Sequence, residues 1–145
     1  MITILLHLLV AAKCATYADP NGAYTFRYPV GWTAQSEADE RGSRVQVAGP
    51  TPAQLMVRAV TPATAKQLVV IQEGEPTAQS KQCHVGKRTT RCVTTDQRLG
   101  FTTTATVDQH GTTYVFSCVS STMPKSGDEC DTFMRSVSFA KSPSP

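Results

Sequence analysis

Four cysteines in the second half of the chain, Cys83, Cys92, Cys118 and Cys130, restrict its fold more than any other feature. An even set of four in an exported domain is typical of two disulfides, and three pairings are available. We favour Cys83 with Cys92 and Cys118 with Cys130, because the partners in each pair are close in sequence. Each loop closed in this way would stabilise the domain by about 3 kcal/mol in chain-entropy terms. In a cytosolic protein the same residues would be buried, reduced thiols.

The N-terminal segment indicates export. Residues 4–12 read ILLHLLVAA, a run shorter than the roughly 20 residues of a membrane-spanning helix but suited to the core of a signal peptide. Thr16 and Ala18 are small residues at the third and first positions before a cut that would leave Asp19 at the mature N-terminus. We therefore predict a signal peptide over residues 1–18 and no transmembrane span in the mature chain. The alternative is an N-terminal strand or buried helix of a cytosolic protein.

A second interpretation of this segment makes Cys14 a lipidated residue. The signal of a bacterial lipoprotein ends directly before a cysteine that then carries the acyl chains, and LVAAKC supplies an apolar run followed by a cysteine. Lys13, however, occupies a position where a small residue is usual. In this alternative the polar residues 15–23 would tether the domain to the membrane.

Length and charge narrow the class of protein. A chain of 145 residues has room for one domain whose core needs no metal. The net charge of +3 is small for a nucleic-acid-binding domain, which usually carries clustered Lys and Arg. The cysteines and histidines lack zinc-type spacing. We predict a single domain over residues 19–139 and a disordered tail over residues 140–145, with no metal, cofactor or nucleic acid bound.

The residue pattern predicts strands along most of the chain. In AYTFRYP, residues 23–29, aromatic and polar residues alternate with the period of a half-buried strand, which Pro29 and Gly31 end. Trp32 then lies at the corner. We predict a polar loop or hairpin tip over residues 35–44. Further predicted strands cover residues 43–49, 54–60, 100–107 and 112–120, the last two joined by a turn at DQHG.

Two helices complete the pattern. Thr61 is a predicted cap, Pro62 the first helical residue and Gly74 the stop of the first helix. Residues 130–139 carry a helical apolar stripe that leads into a short strand. The order of elements predicts an α+β fold, an antiparallel sheet of about six strands flanked by helices.

Two segments resemble the ends of a known domain. YTFRYPVGW, residues 24–32, is similar to the opening motif of PsbP-like and DcrB-like domains, and CDTFMRSVSF, residues 130–139, is similar to their close. The likeness covers most of residues 22–139. It implies an α/β/α sandwich in which aromatic residues of both segments anchor the core: Tyr24, Phe26, Trp32, Phe133 and Phe139.

The same resemblance implies binding rather than catalysis. The family includes extrinsic photosystem subunits, envelope lipoproteins and adaptors for secreted effectors, whose shared property is attachment to another macromolecule. The residues themselves give no catalytic site. His84 follows a cysteine that we expect to be oxidised, and His110 lies in a turn. The acidic clusters at residues 37–40 and 128–131 are typical of a solvated loop and a helix N-terminus.

A basic segment surrounds the first predicted disulfide. Lys81, Lys87, Arg88 and Arg91 accompany His84 in SKQCHVGKRTTRC. Such a segment is either an ordinary solvated hairpin or a rigid basic finger that docks on an anionic partner.

Together these features predict an exported, non-enzymatic binding or assembly-support protein that is periplasmic, extracellular or lumenal. Its partner would be another envelope protein or complex, or an anionic surface. The alternatives are a cytosolic adaptor of the same fold, a lipoprotein anchored through Cys14, or an enzyme whose pocket a single sequence does not reveal.

Overall fold

The computed structural model describes residues 14–39 and 42–141, and about 55% of these residues lie in strands. The strands are β1 (Cys14–Ala18), β2 (Tyr24–Pro29), β3 (Thr33–Asp39), β4 (Gly42–Ala48), β5 (Gln54–Val60), β6 (Gln79–Val85), β7 (Arg88–Gln97), β8 (Gly100–Gln109), β9 (Thr112–Ser120) and β10 (Ser138–Phe139). The helices are α1 (Pro62–Glu73) and α2 (Glu129–Arg135). The fold is therefore α+β.

Two antiparallel sheets organise these strands. The large sheet has seven strands in the order β3-β4-β5-β9-β8-β7-β6, and the small sheet has three in the order β1-β2-β10. Short hairpin turns fix the register of the large sheet. At the tip of β8 and β9, His110 and Gly111 have φ angles of 52° and 82°, the left-handed conformation of a type I′ turn, whose twist matches that of the flanking strands.

Helix α1 begins and ends where its sequence predicts. The Thr61 hydroxyl accepts the Thr64 N–H, Pro62 opens the helix, and Gly74 caps its C-terminus. The helix packs on one face of the large sheet through a small cluster that Ala65 and Leu68 form with Val60 of β5 and Val115 of β9. Predictions of this kind succeed because capping is a local interaction.

The other face of the large sheet carries the main core. Alternate residues of β4, β5 and β9 point to this face and are fully buried, among them Val47, Leu55 and Phe116. Small-sheet residues Tyr24 and Phe26 and helix residue Phe133 pack on them, with 4%, 1% and 1% of their surfaces exposed. The remaining predicted core residues, Trp32 and Phe139, are partly buried against the same core. The small sheet thus occupies much of a face where the sequence pattern predicted helices alone.

Residues 35–44, predicted as a polar loop or hairpin tip, belong to the hairpin of β3 and β4. The loop alternative is therefore wrong, because most of the segment lies in the paired strands. The polar side chains of β3 misled the prediction: β3 is an edge strand, and within the large sheet it pairs only with β4, from Thr33 opposite Ala48 to Asp39 opposite Gly42. Of its residues, Ala34 packs on the main core. An edge strand needs only one buried face and stays soluble through its polar residues.

The last five residues of the predicted signal peptide form β1. They pair with β2 from Cys14 opposite Pro29 to Ala18 opposite Thr25. The Tyr17 ring stacks on Phe26 with centroids 5.1 Å apart, and its hydroxyl lies 2.6 Å from that of Ser36. Residues 1–13 and 142–145 lie outside the described residues. A cut after Ala18 would therefore remove a strand from the folded domain, and that boundary stays a prediction.

Removal of β1 should destabilise the domain. We expect a chain that begins at Asp19 to lose roughly 2–4 kcal/mol of unfolding free energy relative to one that begins at Cys14 and carries Cys14→Ser, because it loses the β1–β2 ladder and the packing of Tyr17. Urea denaturation followed by circular dichroism measures the difference. Thr16→Ala is the control, since this exposed side chain should contribute less than about 0.5 kcal/mol. Equal midpoints for the two chain lengths would contradict the prediction.

Candidate functional site

The two disulfides hold the region around β6 and α2. Cys83 of β6 is bonded to Cys92 of β7, and Cys118 of β9 is bonded to Cys130 of α2, the pairing that the sequence spacing favoured. Cys83 is half-buried, while the other three lie within the main core. The second disulfide adds a covalent link between β9 and α2 to the packing of Phe133 near Phe116 and to the hydrogen bond from the Gly86 N–H to the Met134 carbonyl, so it helps to fix the position of that helix on the sheet.

A cleft opens between β6, α2 and the loop that precedes α2. Its volume is about 210 Å³, and both disulfides line it through Cys83, Cys92 and Cys130. We call it the disulfide cleft. The ionisable residues of its lining are Lys81, His84, Lys125, Asp128, Asp131 and Arg135.

The two carboxylates of the disulfide cleft are satisfied within the protein. Asp128 accepts the backbone N–H groups of Lys125 and Asp131 at 2.8 and 2.9 Å. Asp131 accepts the Gly127 N–H and pairs with Arg135 Nε, each at 2.9 Å. The side chains of Lys81 and Lys125, in contrast, have no hydrogen-bond or ion-pair partner among the described residues. The cleft therefore presents two lysine ammonium groups that make no direct polar contact within the described residues, although Lys81 is near enough to Asp131 to act on its charge.

Electrostatics in the cleft follow from this arrangement. Burial of Asp131 disfavours its charged form, but the Gly127 N–H, the Arg135 side chain and the charge of Lys81 outweigh that effect and lower the pKa of Asp131. The carboxylate is thus ionised near neutral pH and holds Arg135 beside the cleft.

The predicted basic finger does not form one surface. Lys81 stands opposite Cys92 and Arg91 opposite Gln82, so strand alternation points Lys81 and Arg91 to different faces of the sheet. Arg91 pairs with Glu73 of α1 at 3.2 Å. Lys87 lies exposed in the β6–β7 turn with no hydrogen-bond or ion-pair partner among the described residues.

Arg88 is also used within the domain. Its guanidinium donates to the Asp108 carbonyl at 2.7 Å and to the Gln109 side chain, and it lies 5.1 Å from the centre of the Phe139 ring. Such a cation–π contact fastens the end of β10 to the large sheet. Of the four predicted cations, only Lys81 and Lys87 remain available. The structure adds Lys125 and Arg135, which the sequence analysis did not identify because they lie about 40 residues or more further along the chain than Lys81.

The histidines and acidic residues considered in the sequence as catalytic groups are not brought together in the described residues. Cys83 is oxidised, so His84 has no thiol to activate. His110 contacts Gln109 in the β8–β9 turn. Glu37 forms an ion pair with Arg44, and Glu40 lies outside the described residues. Within residues 14–39 and 42–141, no group of three or more His, Cys, Asp or Glu side chains is placed to hold a metal.

The aromatic hydroxyls of the core are equally unsuited to acid–base chemistry. Burial raises the pKa of Tyr24, and the nearby carboxylate of Asp19 raises it further. The same two causes raise the pKa of Tyr114. Both phenols therefore stay neutral at physiological pH. Asp19 itself accepts the Ala23 N–H at 3.0 Å in the turn between β1 and β2, which is a structural role.

Comparison with known proteins bears on the fold. No family model and no curated protein matches the sequence. Among solved structures, the chain is similar to a protein from Bacteroides thetaiotaomicron VPI-5482 whose crystal structure was determined at 1.50 Å resolution. The TM-score is 0.53 at 14% identity, over 89% of this chain and 49% of that protein, so this chain spans about half of its length. This likeness supports the fold alone. In the described part of the chain, no helix has the length and apolar character needed to cross a membrane.

The lowered pKa of Asp131 should make stability depend on acid pH. A carboxyl group whose pKa is lowered by folding adds stability above its unfolded value of 3.8 and loses it as the pH falls through the lower folded value. We expect Asp131→Asn to cost about 1 kcal/mol or less near neutral pH and to unfold with a flatter pH dependence below pH 3.8. Denaturation series at several acid pH values measure this. An unchanged slope in the variant would contradict the assignment.

The two disulfides should differ in how strongly each of them fixes α2 on the large sheet. Replacing either pair by alanine should cost roughly 2–5 kcal/mol. We expect Cys118→Ala with Cys130→Ala to expose the backbone amides of α2 to hydrogen exchange, because this bond joins separate elements. Cys83→Ala with Cys92→Ala is the matched control, since β6 and β7 remain paired as a hairpin. Equal protection of α2 in the two double variants would show that the second disulfide does not position the helix.

Proposed function

We propose that this chain is an exported, non-catalytic binding module of the cell envelope or extracellular space, which docks on an acidic partner protein through the disulfide cleft and the tip of the β6–β7 hairpin. We also propose that the fold is the α/β/α sandwich of PsbP-like and DcrB-like domains. The observation that carries the functional proposal is that Lys81 and Lys125, which line the disulfide cleft, and Lys87, in the β6–β7 turn, have no hydrogen-bond or ion-pair partner among the described residues.

The compartment is supported by the cysteines. Two disulfides are compatible with an oxidising environment, where such bonds form and persist. A cytosolic adaptor would hold the same four residues as thiols, so alkylation of the native protein without reduction separates the two possibilities.

The binding surface is supported by its charge and rigidity. Three lysines without internal partners attract an acidic surface from solution and help select it over other surfaces. Lys81 and Arg135 lie on elements that the disulfides join to the rest of the domain, so the backbone that carries them is already ordered before binding. A solvated hairpin with no partner would not need cations from α2 and the preceding loop to converge on it.

A lipid-anchored form of the same module is favoured by one observation. Cys14 is exposed and starts β1, so an acyl group there would leave the domain intact, whereas a cut after Ala18 would remove β1. The intact mass of the protein from its native host tests this form. An addition of diacylglycerol size on Cys14 supports anchoring, and a free thiol or an absent Cys14 contradicts it.

The docking proposal predicts a charge-position effect. We expect a variant with Lys81→Glu, Lys87→Glu and Lys125→Glu to bind immobilised poly-L-glutamate roughly tenfold more weakly than the native chain at low salt, with a smaller salt dependence. The control changes the same net charge elsewhere, with Lys66→Glu, Arg98→Glu and Lys141→Glu, all exposed in the native chain. Surface plasmon resonance across a salt series measures both.

Three outcomes are informative. Retention in the control and loss in the first variant supports the cleft as the binding surface. Equal loss in both would show that only net charge matters and would overturn the site. Binding of the native chain to anionic phosphatidylglycerol vesicles but not to poly-L-glutamate would replace the acidic protein by a membrane surface.

A further inference from the structure

A second groove lies on the other side of the loop that precedes α2. Its volume is about 530 Å³, within the range of roughly 300–1,000 Å³ that is typical of small-molecule sites. Four segments meet there: the corner at Trp32, the turn at residues 50–53, the end of β9 with residues 120–122, and the start of α2 at residues 127–129. We call it the Trp32 groove.

Trp32, the only tryptophan of the chain, lies directly against the backbone at Gly49. A Cβ atom at Gly49 would lie 2.4 Å from Cε2 of the indole and 2.6 Å from Cδ2, so only glycine lets the ring lie this close to the backbone. The Gly49 N–H and the Ala53 carbonyl, 3.0 Å apart, close the turn beneath it. The ring is partly buried against the main core, and its N–H donates to none of the described residues. A fixed aromatic group with an unused donor thus lines an open groove.

The rest of the lining mixes apolar and polar residues and carries no positive charge among the described residues. Among the described lining residues none is Lys, Arg or His. Asp128 is occupied by the backbone groups that it caps. The Glu129 carboxylate and the hydroxyls of Ser121 and Thr122 have no side-chain partner among the described residues. The groove therefore combines an apolar platform of Trp32 with Pro50 and Pro52 and a polar set that comprises the Glu129 carboxylate and four hydroxyls, of which that of Ser120 donates to the Thr122 carbonyl.

This combination selects among ligand classes. An anion would find no cation and would be repelled by Glu129. A purely apolar ligand would desolvate the carboxylate and hydroxyls without replacing their hydrogen bonds. A sugar ring has an apolar C–H face that suits an indole and a rim of hydroxyls that both donate and accept. We propose that the Trp32 groove binds a neutral carbohydrate, with a sugar ring against Trp32 and sugar hydroxyls paired with Glu129 and the hydroxyls of Ser121 and Thr122.

The single tryptophan makes the test direct. The full chain is titrated with neutral oligosaccharides of glucose, galactose, mannose and N-acetylglucosamine while the emission of Trp32 is recorded. We expect a saturable change with at least one series. Glu129→Gln keeps the shape of the side chain and removes its charge, and should weaken binding by roughly threefold to tenfold, because the amide oxygen still accepts a hydrogen bond but without the assistance of a charge. Glu75→Gln, an exposed change in the turn after α1, is the matched control and should bind as the native chain does.

One further variant and two further binding assays test the same proposal. Trp32→Phe, followed by calorimetry, should lose binding while its circular dichroism stays native. Sedimentation with insoluble cellulose or chitin separates a polymer-binding site from one that takes only free oligosaccharides. A saturable response to choline and to no sugar would assign the groove to a quaternary ammonium compound instead. That result, a flat titration with every sugar, or equal affinity of the native chain and Glu129→Gln would overturn the proposal.

Discussion

The ring of Phe26 is the contact through which the layers of the domain are joined. It lies 5.1 Å from the Tyr17 ring of β1 and 5.1 Å from the Phe133 ring of α2, edge-on to the latter. It is also close to Tyr24 on its own strand. Aromatic pairs in these geometries contribute about 0.5–1.5 kcal/mol each beyond the area that they bury. Because a single side chain contacts both the small sheet and α2, the packing of either on the large sheet depends on the other.

The position of α2 then decides the shape of both cavities. Phe133 buries the helix against Phe26, Cys130 bonds it to β9, and the Asp128 cap fixes its first turn. The disulfide cleft and the Trp32 groove share Asp128 in their linings and lie on either side of the same loop. A seven-residue helix has little stability of its own, so both candidate sites rely on the covalent bond and on the aromatic contact. Their rigidity is a tertiary property rather than a property of the local sequence.

Local signals predicted the elements that depend on local interactions. The Thr61 cap, the turn at residues 108–111 and the alternation from Tyr24 to Tyr28 each specify an element within a few residues.

Elements that depend on distant partners were harder to predict. β3 was missed because its polar side chains carry no hydrophobic period, and its strand conformation comes from pairing with β4. The sequence places residues 14–18 in a signal peptide because of the apolar run before them and the small residues Thr16 and Ala18; their pairing with β2 depends on a partner strand that this local pattern does not contain. Of the three cations that line the disulfide cleft, only Lys81 was predicted, because Lys125 and Arg135 approach it through the packing of α2. The prediction of Trp32 as a core residue is matched by its partial burial against the main core, but its position in the lining of a groove, close to Gly49, depends on a contact that sequence alone does not reveal.

Protection of the sheet edges is a simpler explanation for some of the exposed cations near the disulfide cleft. β6 and β3 are the two edge strands, and exposed polar or Lys side chains on such strands prevent pairing with other chains. Residues 79–82 of β6, which include Lys81, are all exposed and polar, as this function requires. Edge protection therefore accounts for Lys81 on its own. It does not account for Lys125, which lies in a loop, or for Arg135, which lies on a helix. The approach of these three cations to one cleft, where Asp131 pairs with Arg135 and Asp128 caps α2, is therefore not accounted for by edge protection alone, and it is the observation on which the proposed acidic partner rests.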